Sequence, residues 1–167
     1  MAKIYPIIKS KNPLLRKVSS EIEPAKFGSN LLKKLFLDMT ATMYKKDGIG
    51  LAAPQISKNI RMVVINTAEG PICMINPVIT KRSTTQELGE EGCLSVPGVF
   101  GQVNRYKSVD CQFIDENGQK NLIKANKMMA RVIQHEIDHL DGILFIDKLE
   151  PGSKSSDRKT ERPAVKK

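Results

Sequence analysis

The sequence lacks any long apolar run, which argues against a helix that crosses a membrane. Nowhere do its 167 residues approach the roughly 20 consecutive apolar positions that such a helix needs. The first ten residues, MAKIYPIIKS, also lack an apolar core of signal-peptide length. We therefore expect a soluble chain that is not secreted and has no membrane partner.

Cysteine and histidine are also scarce. The three cysteines, Cys73, Cys93 and Cys111, cannot all pair with one another and show no C-x-x-C spacing. Such a set suits a reducing compartment better than an oxidising one, and excludes a disulfide framework. Only two histidines occur in the whole chain, so their placement deserves weight.

Acidic residues are the third shortage, since 18 of them face 27 lysines and arginines for a net charge of +9. This charge predicts association with a polyanionic surface but does not specify a function. A hydrophobic content of 40% suffices for one core, and we expect a single catalytic domain over residues 1–150. Residues 151–167 form a basic tail too poor in apolar residues to fold. A solubilising tail is favoured over a specific nucleic-acid contact.

The N-terminal third predicts an amphipathic helix. Its apolar residues recur at every fourth position: Leu31, Leu35, Met39 and Met43. Ser29 or Asn30 can serve as the N-cap, and the helix is expected to end before the turn at Gly48. The segment from Gly48 to Gln55 then predicts a loop whose backbone can approach a ligand closely. Its glycines are wrongly spaced for a phosphate-binding loop.

The middle of the chain, residues 61–125, predicts strands. The runs MVVIN, PICMINPVI and VDCQFID are short, apolar or alternating, and separated by turn residues. Asn117-Gly118 predicts a hairpin with a type I′ turn. From Lys127 the pattern is helical again, and Gly142 is the expected stop. The fold class is therefore α+β: mainly antiparallel β-sheets packed around a central C-terminal helix carrying HEIDH, with an N-terminal helix.

The two histidines lie four residues apart in His135-Glu136-Ile137-Asp138-His139, inside the predicted second helix. Side chains at i and i+4 project from one face, so two imidazoles can bind one metal ion while Glu136 lies beside the open coordination position. Two surface histidines on an amphipathic helix are the alternative interpretation. The pattern favours a site that activates water.

A helical histidine pair needs a third ligand, and Cys93 in EGCLSVPG is the candidate. Its thiolate would complete a Cys-His-His site, although free cysteines are often simply buried. Cys73 lies in an apolar run, and Cys111 alternates with apolar residues along a strand. We expect both of these to belong to the core.

Three segments, GIGLAAPQ at 48–55, EGCLSVPG at 91–98 and QHEIDHLDG at 134–142, together resemble the signature segments of the peptide deformylases. The resemblance extends from about Ile4 to Leu149. It implies that Cys93, His135 and His139 hold one divalent metal ion. Fe2+ is the metal implied by the family, and Zn2+, Ni2+ or Co2+ suit the same ligands.

The resemblance also implies a role for each residue around the metal. Glu136 would be the acid and base, while the Gln55 side-chain amide and the Leu94 backbone N–H would stabilise the oxyanion. Ile49 and Gly50 would contact the peptide backbone. Ile49 and Val132 would line a methionine-sized pocket.

The implied reaction removes the formyl group from the N-terminal formyl-methionine of nascent polypeptides, in the cytoplasm of a bacterium. Glu91 and Asp138 could orient the ligands, and Arg105 could pair with Glu91. Two features depart from some relatives: Val99-Phe100 stands where they carry a basic residue, and the chain breaks at Pro151-Gly152 where they continue a helix. The second departure weakens any expectation of a transient ribosome contact.

Two other interpretations are left open. An HExxH metallopeptidase would use the same water chemistry on an internal peptide bond, and cleavage of an unformylated peptide would favour it. A noncatalytic binding protein would use the metal for structure, and its site should be closed by a fourth protein ligand.

Overall fold

The structure, a computed structural model, describes residues 1–156. Within that range the chain forms two α-helices and eight strands. In chain order they are α1 (Asn30–Lys45), β1 (Gly50–Ala52), β2 (Met62–Thr67), β3 (Gly70–Arg82), β4 (Gln86–Cys93), β5 (Val96–Tyr106), β6 (Ser108–Ile114), β7 (Lys120–Asn126), α2 (Lys127–Leu140) and β8 (Ser155–Ser156). Four short 3-10 helices lie between them, at Pro13–Arg16, Pro24–Lys26, Ala53–Ile56 and Phe145–Lys148.

The strands form two antiparallel sheets, with the order β1-β2-β3-β6-β7 in the larger and β4-β5-β8 in the smaller. Helix α2 contacts β1, β2, β6 and β7 of the larger sheet and β5 of the smaller one. The predicted α+β class with antiparallel sheets around a central C-terminal helix is confirmed. No helix within the described residues is long and apolar enough to cross a membrane.

Helix α1 begins as predicted, because the Ser29 hydroxyl accepts a hydrogen bond from the Leu32 N–H at 3.4 Å. Three of the four predicted core residues are buried, but Leu31 is 75% exposed and Leu32 takes its place. The reason is geometric. A strict four-residue spacing advances by about 40° per step around a helix with 3.6 residues per turn. Leu31 and Met43 therefore point in different directions.

The hairpin between β6 and β7 is confirmed, but its turn is not type I′. Only Gly118 of the predicted pair has a positive φ, at 82°. The Gly118 N–H donates to Asp115 O at 3.0 Å, and the Asp115 carboxylate accepts the N–H groups of Asn117 and Gln119, both at 2.9 Å. That side-chain cap favours the longer hairpin loop, in which a single glycine has the left-handed conformation.

The segment from 48 to 55 is more regular than the predicted loop. Its residues Gly50–Ala52 form β1, which pairs with β2, and Ala53–Ile56 form a 3-10 helix. Three small or apolar residues carry no alternation that would predict a strand. The pairing therefore depends on the neighbouring strand rather than on local sequence.

The first residues of the predicted tail are also ordered. Ser155–Ser156 pair with Val99 and Phe100 of β5, whereas residues 151–167 were expected not to fold. A two-residue strand carries no sequence pattern that would predict it. The rest of the predicted tail, residues 157–167, lies outside the described residues.

Candidate active site

The three segments singled out in the sequence converge on one cleft of about 730 Å³. The end of β4 contributes one wall, the segment around β1 contributes another, and α2 forms the floor. The residues of the predicted site that line the cleft are Ile49, Gly50, Gln55, Cys93, Leu94, Val132, His135 and Glu136.

Cys93, His135 and His139 form a compact ligand cluster. Their ligand atoms all lie within 4.8 Å of one another, and Cys93 Sγ lies 3.3 Å from His139 Nε2. Strand β4 ends at Cys93, and one turn of α2 separates the two histidines. One soft thiolate and two imidazoles suit a divalent transition metal, and three protein ligands leave a coordination position open for chemistry.

Glu91 organises the cluster. Its buried carboxylate accepts hydrogen bonds from Arg105 at 2.9 and 3.0 Å, from Arg131 at 2.9 Å and from His135 Nδ1 at 2.9 Å. Burial alone would raise the pKa of Glu91, but hydrogen bonds from His135 and Arg105 outweigh it and lower the pKa to about 2. An ionised carboxylate only accepts, so Nδ1 of His135 carries a proton and Nε2 faces the cluster.

The two histidines differ in their surroundings. Burial and the neighbouring His135 lower the pKa of His139 well below its usual range, which keeps it neutral as a metal ligand must be. Burial alone would also lower the pKa of His135, but the hydrogen bonds with Cys93 and Glu91 outweigh burial, so the pKa of His135 is raised. His139 Nδ1 has no hydrogen-bond partner among residues 1–156.

Glu136 lies directly against Gly50. A Cβ atom on Gly50 would come within 2.7 Å of Glu136 Cδ, so a larger residue would have to displace the carboxylate from this position. Glu136 is 4% exposed, and its Oε2 atom has no hydrogen-bond partner in the described chain. Burial raises the pKa of Glu136 to about 7 against the opposing charge of His135. A carboxyl with that pKa can both take and return a proton near neutrality.

Gln55 lies on the other side of Cys93. Its Oε1 accepts from the Ala52 N–H at 2.9 Å, which turns its Nε2 toward Ser95 Oγ at 3.1 Å and Cys93 Sγ at 3.6 Å. The side chain is 2% exposed. The Gln55 amide is therefore held in one orientation with its donor facing the metal-ligand cluster.

A segment at the N-terminus, residues 8–10, supports the backbone at Gln55 and Leu94. We call it the N-terminal strap. The Ile8 N–H donates to Gln55 O and the Ser10 N–H donates to Ser95 O, both at 2.9 Å. Lys9 Nζ donates to Leu94 O, also at 2.9 Å. The strap thus links the 3-10 helix that carries Gln55 to the turn between β4 and β5 that carries Leu94, the two predicted oxyanion donors.

Glu91 and Asp138, the two residues predicted to orient the metal ligands, make different contacts. The predicted pairing of Arg105 with Glu91 is present. Asp138 does not contact a ligand of the cluster; its carboxylate accepts from Arg105 at 2.5 Å and from Lys148 at 2.9 Å. Asp138 is therefore linked to the cluster through Arg105 and Glu91.

Three residues that contact the site were not predicted from the sequence: Arg131, Ser95 and Lys9. Arg131 had a detectable signal, because it precedes His135 by four residues and so lies on the same face of α2. The contacts of Ser95 and Lys9 join segments 40 and 85 residues apart. Sequence spacing gives no indication of such contacts.

Comparison with known proteins relates this geometry to a family. The sequence model described as Polypeptide deformylase matches residues 4–155. A peptide deformylase of Syntrophomonas wolfei is 46% identical over 145 residues, which cover 87% of this chain and 93% of that protein. The matched residues 4–155 therefore include every residue of the candidate site.

Solved structures agree with the sequence match. A peptide deformylase from Synechococcus elongatus in complex with actinonin has a TM-score of 0.84 and 37% identity, covering 89% of this chain and 80% of its own. A class I type b peptide deformylase from Acinetobacter baumannii, bound to Met-Ala-Ser, has a TM-score of 0.84 and 33% identity, covering 89% of this chain and 100% of its own. Fold and sequence thus lead to the same group of enzymes.

Proposed function

The chain belongs to the polypeptide deformylase family, and from this premise we propose that it removes the formyl group from the N-terminal formyl-methionine of nascent polypeptides, releasing formate. One observation supports this proposal most strongly. The ligand atoms of Cys93, His135 and His139 lie within 4.8 Å of one another, and the buried carboxyl of Glu136 lines the same cleft. Family membership does not favour the metallopeptidase interpretation.

Membership implies a single catalytic metal, and Cys93, His135 and His139 would hold it. The three-ligand set and the unpartnered Oε2 of Glu136 both fit a metal site with an open position. When bound, the metal would supply Lewis acidity that polarises the formyl carbonyl and makes water easier to deprotonate. We propose Fe2+, with Zn2+, Ni2+ and Co2+ as ions that suit the same donors.

Glu136 moves the proton in this proposal. Its carboxylate takes a proton from water as the water oxygen bonds to the formyl carbon, and later gives that proton to the departing amine nitrogen as the C–N bond breaks. Formate and a free methionine amino group result. The proposed donors to the oxyanion are Nε2 of Gln55 and the Leu94 N–H, and one such donor is typically worth about 3 kcal/mol.

The substrate would lie along the cleft with its backbone against Ile49 and Gly50. Val132 is buried in the floor, and Ile49 stands 53% exposed at the rim. These two apolar side chains would contact the methionine side chain. The Acinetobacter baumannii relative was solved with Met-Ala-Ser bound, a peptide of the kind that deformylation of a formyl-methionyl chain would leave.

The same proposal covers the organisation and setting of the chain. Residues 1–150 would be the catalytic domain, and residues 151–167 would be its basic tail. This tail would make a transient contact with the ribosome but would not bind a specific nucleic acid. The bacterial origin of the relatives supports work in a bacterial cytoplasm. Membranes have no part in the proposal.

The test is formate release from formyl-Met-Ala-Ser by protein loaded anaerobically with Fe2+, or with Ni2+ as a stable substitute. Glu136→Ala should lower the rate by roughly 100- to 10,000-fold. Glu69→Ala, at an exposed turn residue, should leave it unchanged. No formate from fully metal-loaded wild type would refute the proposed reaction, and cleavage of unformylated Met-Ala-Ser would favour a peptidase.

A further inference from the structure

The guanidinium group of Arg131 is buried between α2 and the smaller sheet, with the residue 7% exposed. Its Nη1 donates to Val103 O at 2.8 Å, to Glu91 Oε1 at 2.9 Å and to Gly89 O at 3.3 Å. Its Nη2 donates to Glu87 O at 2.9 Å. One side chain of α2 therefore binds the main chain of both β4 and β5.

Strand β4 is shaped to admit this side chain. A Cβ atom on Gly89 would lie 2.7 Å from both Cζ and Nη2 of Arg131. The φ of Gly89 is not in the left-handed region, so backbone conformation does not require glycine at this position. The reason for glycine is the close approach of the guanidinium.

Cys93 and the apolar side of α2 pack in different apolar clusters. The apolar side of α2, including Val132 and Ile133, packs in one cluster with the larger sheet. Cys93 instead packs with Val96, Val103 and other residues in a separate cluster. Cys93 and the apolar side of α2 thus belong to different clusters, which are linked by the stacking of His135 on Phe145 and by polar contacts such as those of Arg131.

Arg105 also links the smaller sheet to α2, but through side chains. It lies on β5 and reaches two carboxylates, Glu91 and Asp138, so it joins side chains to one another. Arg131 joins a helix to backbone carbonyls, which move only when the strand moves. Within the described residues, Arg131 is thus the α2 side chain that binds the main chain of the strand ending at Cys93.

We propose that Arg131 is a positioning residue that fixes β4 against α2 and so sets the distance between Cys93 and the two histidines. This inference rests on the proposed metal site. Loss of the guanidinium would let the cysteine drift from the histidines, so that the site would bind metal more weakly while each ligand remained present. Partners of this kind typically contribute about 10- to 100-fold to metal affinity.

The experiment is a titration of metal-free protein with Co2+, followed by the thiolate-to-cobalt charge-transfer band in the near ultraviolet. We expect roughly 10- to 100-fold weaker binding and a weaker or shifted band for Arg131→Met. Gly89→Ala should act in the same direction, because its methyl group displaces a guanidinium that is still present. Arg131→Lys should recover part of the affinity. The control Arg82→Met, at an exposed arginine over the Tyr106 ring, should bind as wild type does.

The outcomes separate the two proposals. If wild type shows no thiolate band, the proposed metal site is wrong. If wild type binds Co2+ and both Arg131→Met and Gly89→Ala bind it equally well, the role of Arg131 is overturned while the metal site stands. Circular dichroism identifies a variant that fails to fold; should Arg131→Met do so, Gly89→Ala and Arg131→Lys decide the question.

Discussion

The two helices differ in the polar residues that they bury. On α1 these are Asp38 and Thr42, whose side chains accept hydrogen bonds from the N-terminal backbone. Helix α1 turns an apolar side toward the core, where Met39 and Met43 are fully buried. Helix α2 buries Arg131, Glu136 and His139 beside its apolar residues. Burying a charged group costs free energy unless partners compensate it. On α2, Arg131 binds Glu91 and backbone carbonyls, Glu136 lines the cleft and His139 lies beside Cys93. This difference indicates that α1 serves stability and that this side of α2 serves chemistry.

The largest effect on kcat is expected from a substitution on α2 that removes a chemical group but keeps the shape of the side chain. Glu136→Gln keeps the shape of the side chain but cannot take up a proton, so we expect kcat to fall by roughly 100- to 10,000-fold. The midpoint of urea unfolding should change little, because no apolar contact is lost. Formate release and urea unfolding measured on the same preparation check both halves. An active variant would remove Glu136 from the mechanism.

The converse change lies on α1. Met39→Ala removes a fully buried side chain and should lower the free energy of unfolding by about 2 to 5 kcal/mol. Urea unfolding measures this loss. At 15 °C the fraction that remains folded should release formate at the wild-type rate. A large fall in kcat of the folded fraction would mean that α1 contributes to chemistry after all.

The N-terminal strap belongs to neither helix and provides a third point of comparison. Lys9→Met removes the hydrogen bond to Leu94 O, and we expect kcat to fall roughly 2- to 10-fold, the net worth of one hydrogen bond. Lys11→Met, at an exposed neighbour, is the matched control. Equal rates for the two variants would show that the strap does not align the Leu94 donor.

The smallest effect sharpens the boundary of the apolar side of α1. Leu31 is 75% exposed, so Leu31→Ser should change the free energy of unfolding by no more than about 0.5 kcal/mol. Leu32→Ser, at a buried residue one position later, should cost several times more. A pair of urea unfolding curves distinguishes them. Similar losses would mean that Leu31 is part of the core.

The sequence predicted what depends on local pattern. Periodicity gave both helices, and Asn117-Gly118 gave the hairpin, because these signals lie within a few residues. The type I′ turn was wrongly predicted, and β1 and β8 were not predicted, since each depends on a neighbouring strand or on a side chain such as Asp115. The four-residue spacing turns by about 40° per step around a helix, and this accumulated rotation misplaced Leu31.

The site divides in the same way. The His135 and His139 spacing is local. Cys93 was a candidate third ligand from its own segment, the family resemblance implied that role, and the structure brings it beside the histidines. The contacts of Arg131 with β4 and β5 were not predicted, because they depend on how the smaller sheet lies on α2. Ligand types can be read from a sequence, whereas the groups that hold them in place depend on tertiary packing.

Burial also divides the three cysteines. Cys73 and Cys111 are at most 1% exposed, whereas Cys93 is partly accessible at the cleft. A chromogenic disulfide reagent should therefore titrate one thiol per folded, metal-free molecule and three per unfolded molecule. Bound metal should protect that one thiol from the reagent. The chain thus carries its own stoichiometric indicator of how many molecules in a preparation hold metal.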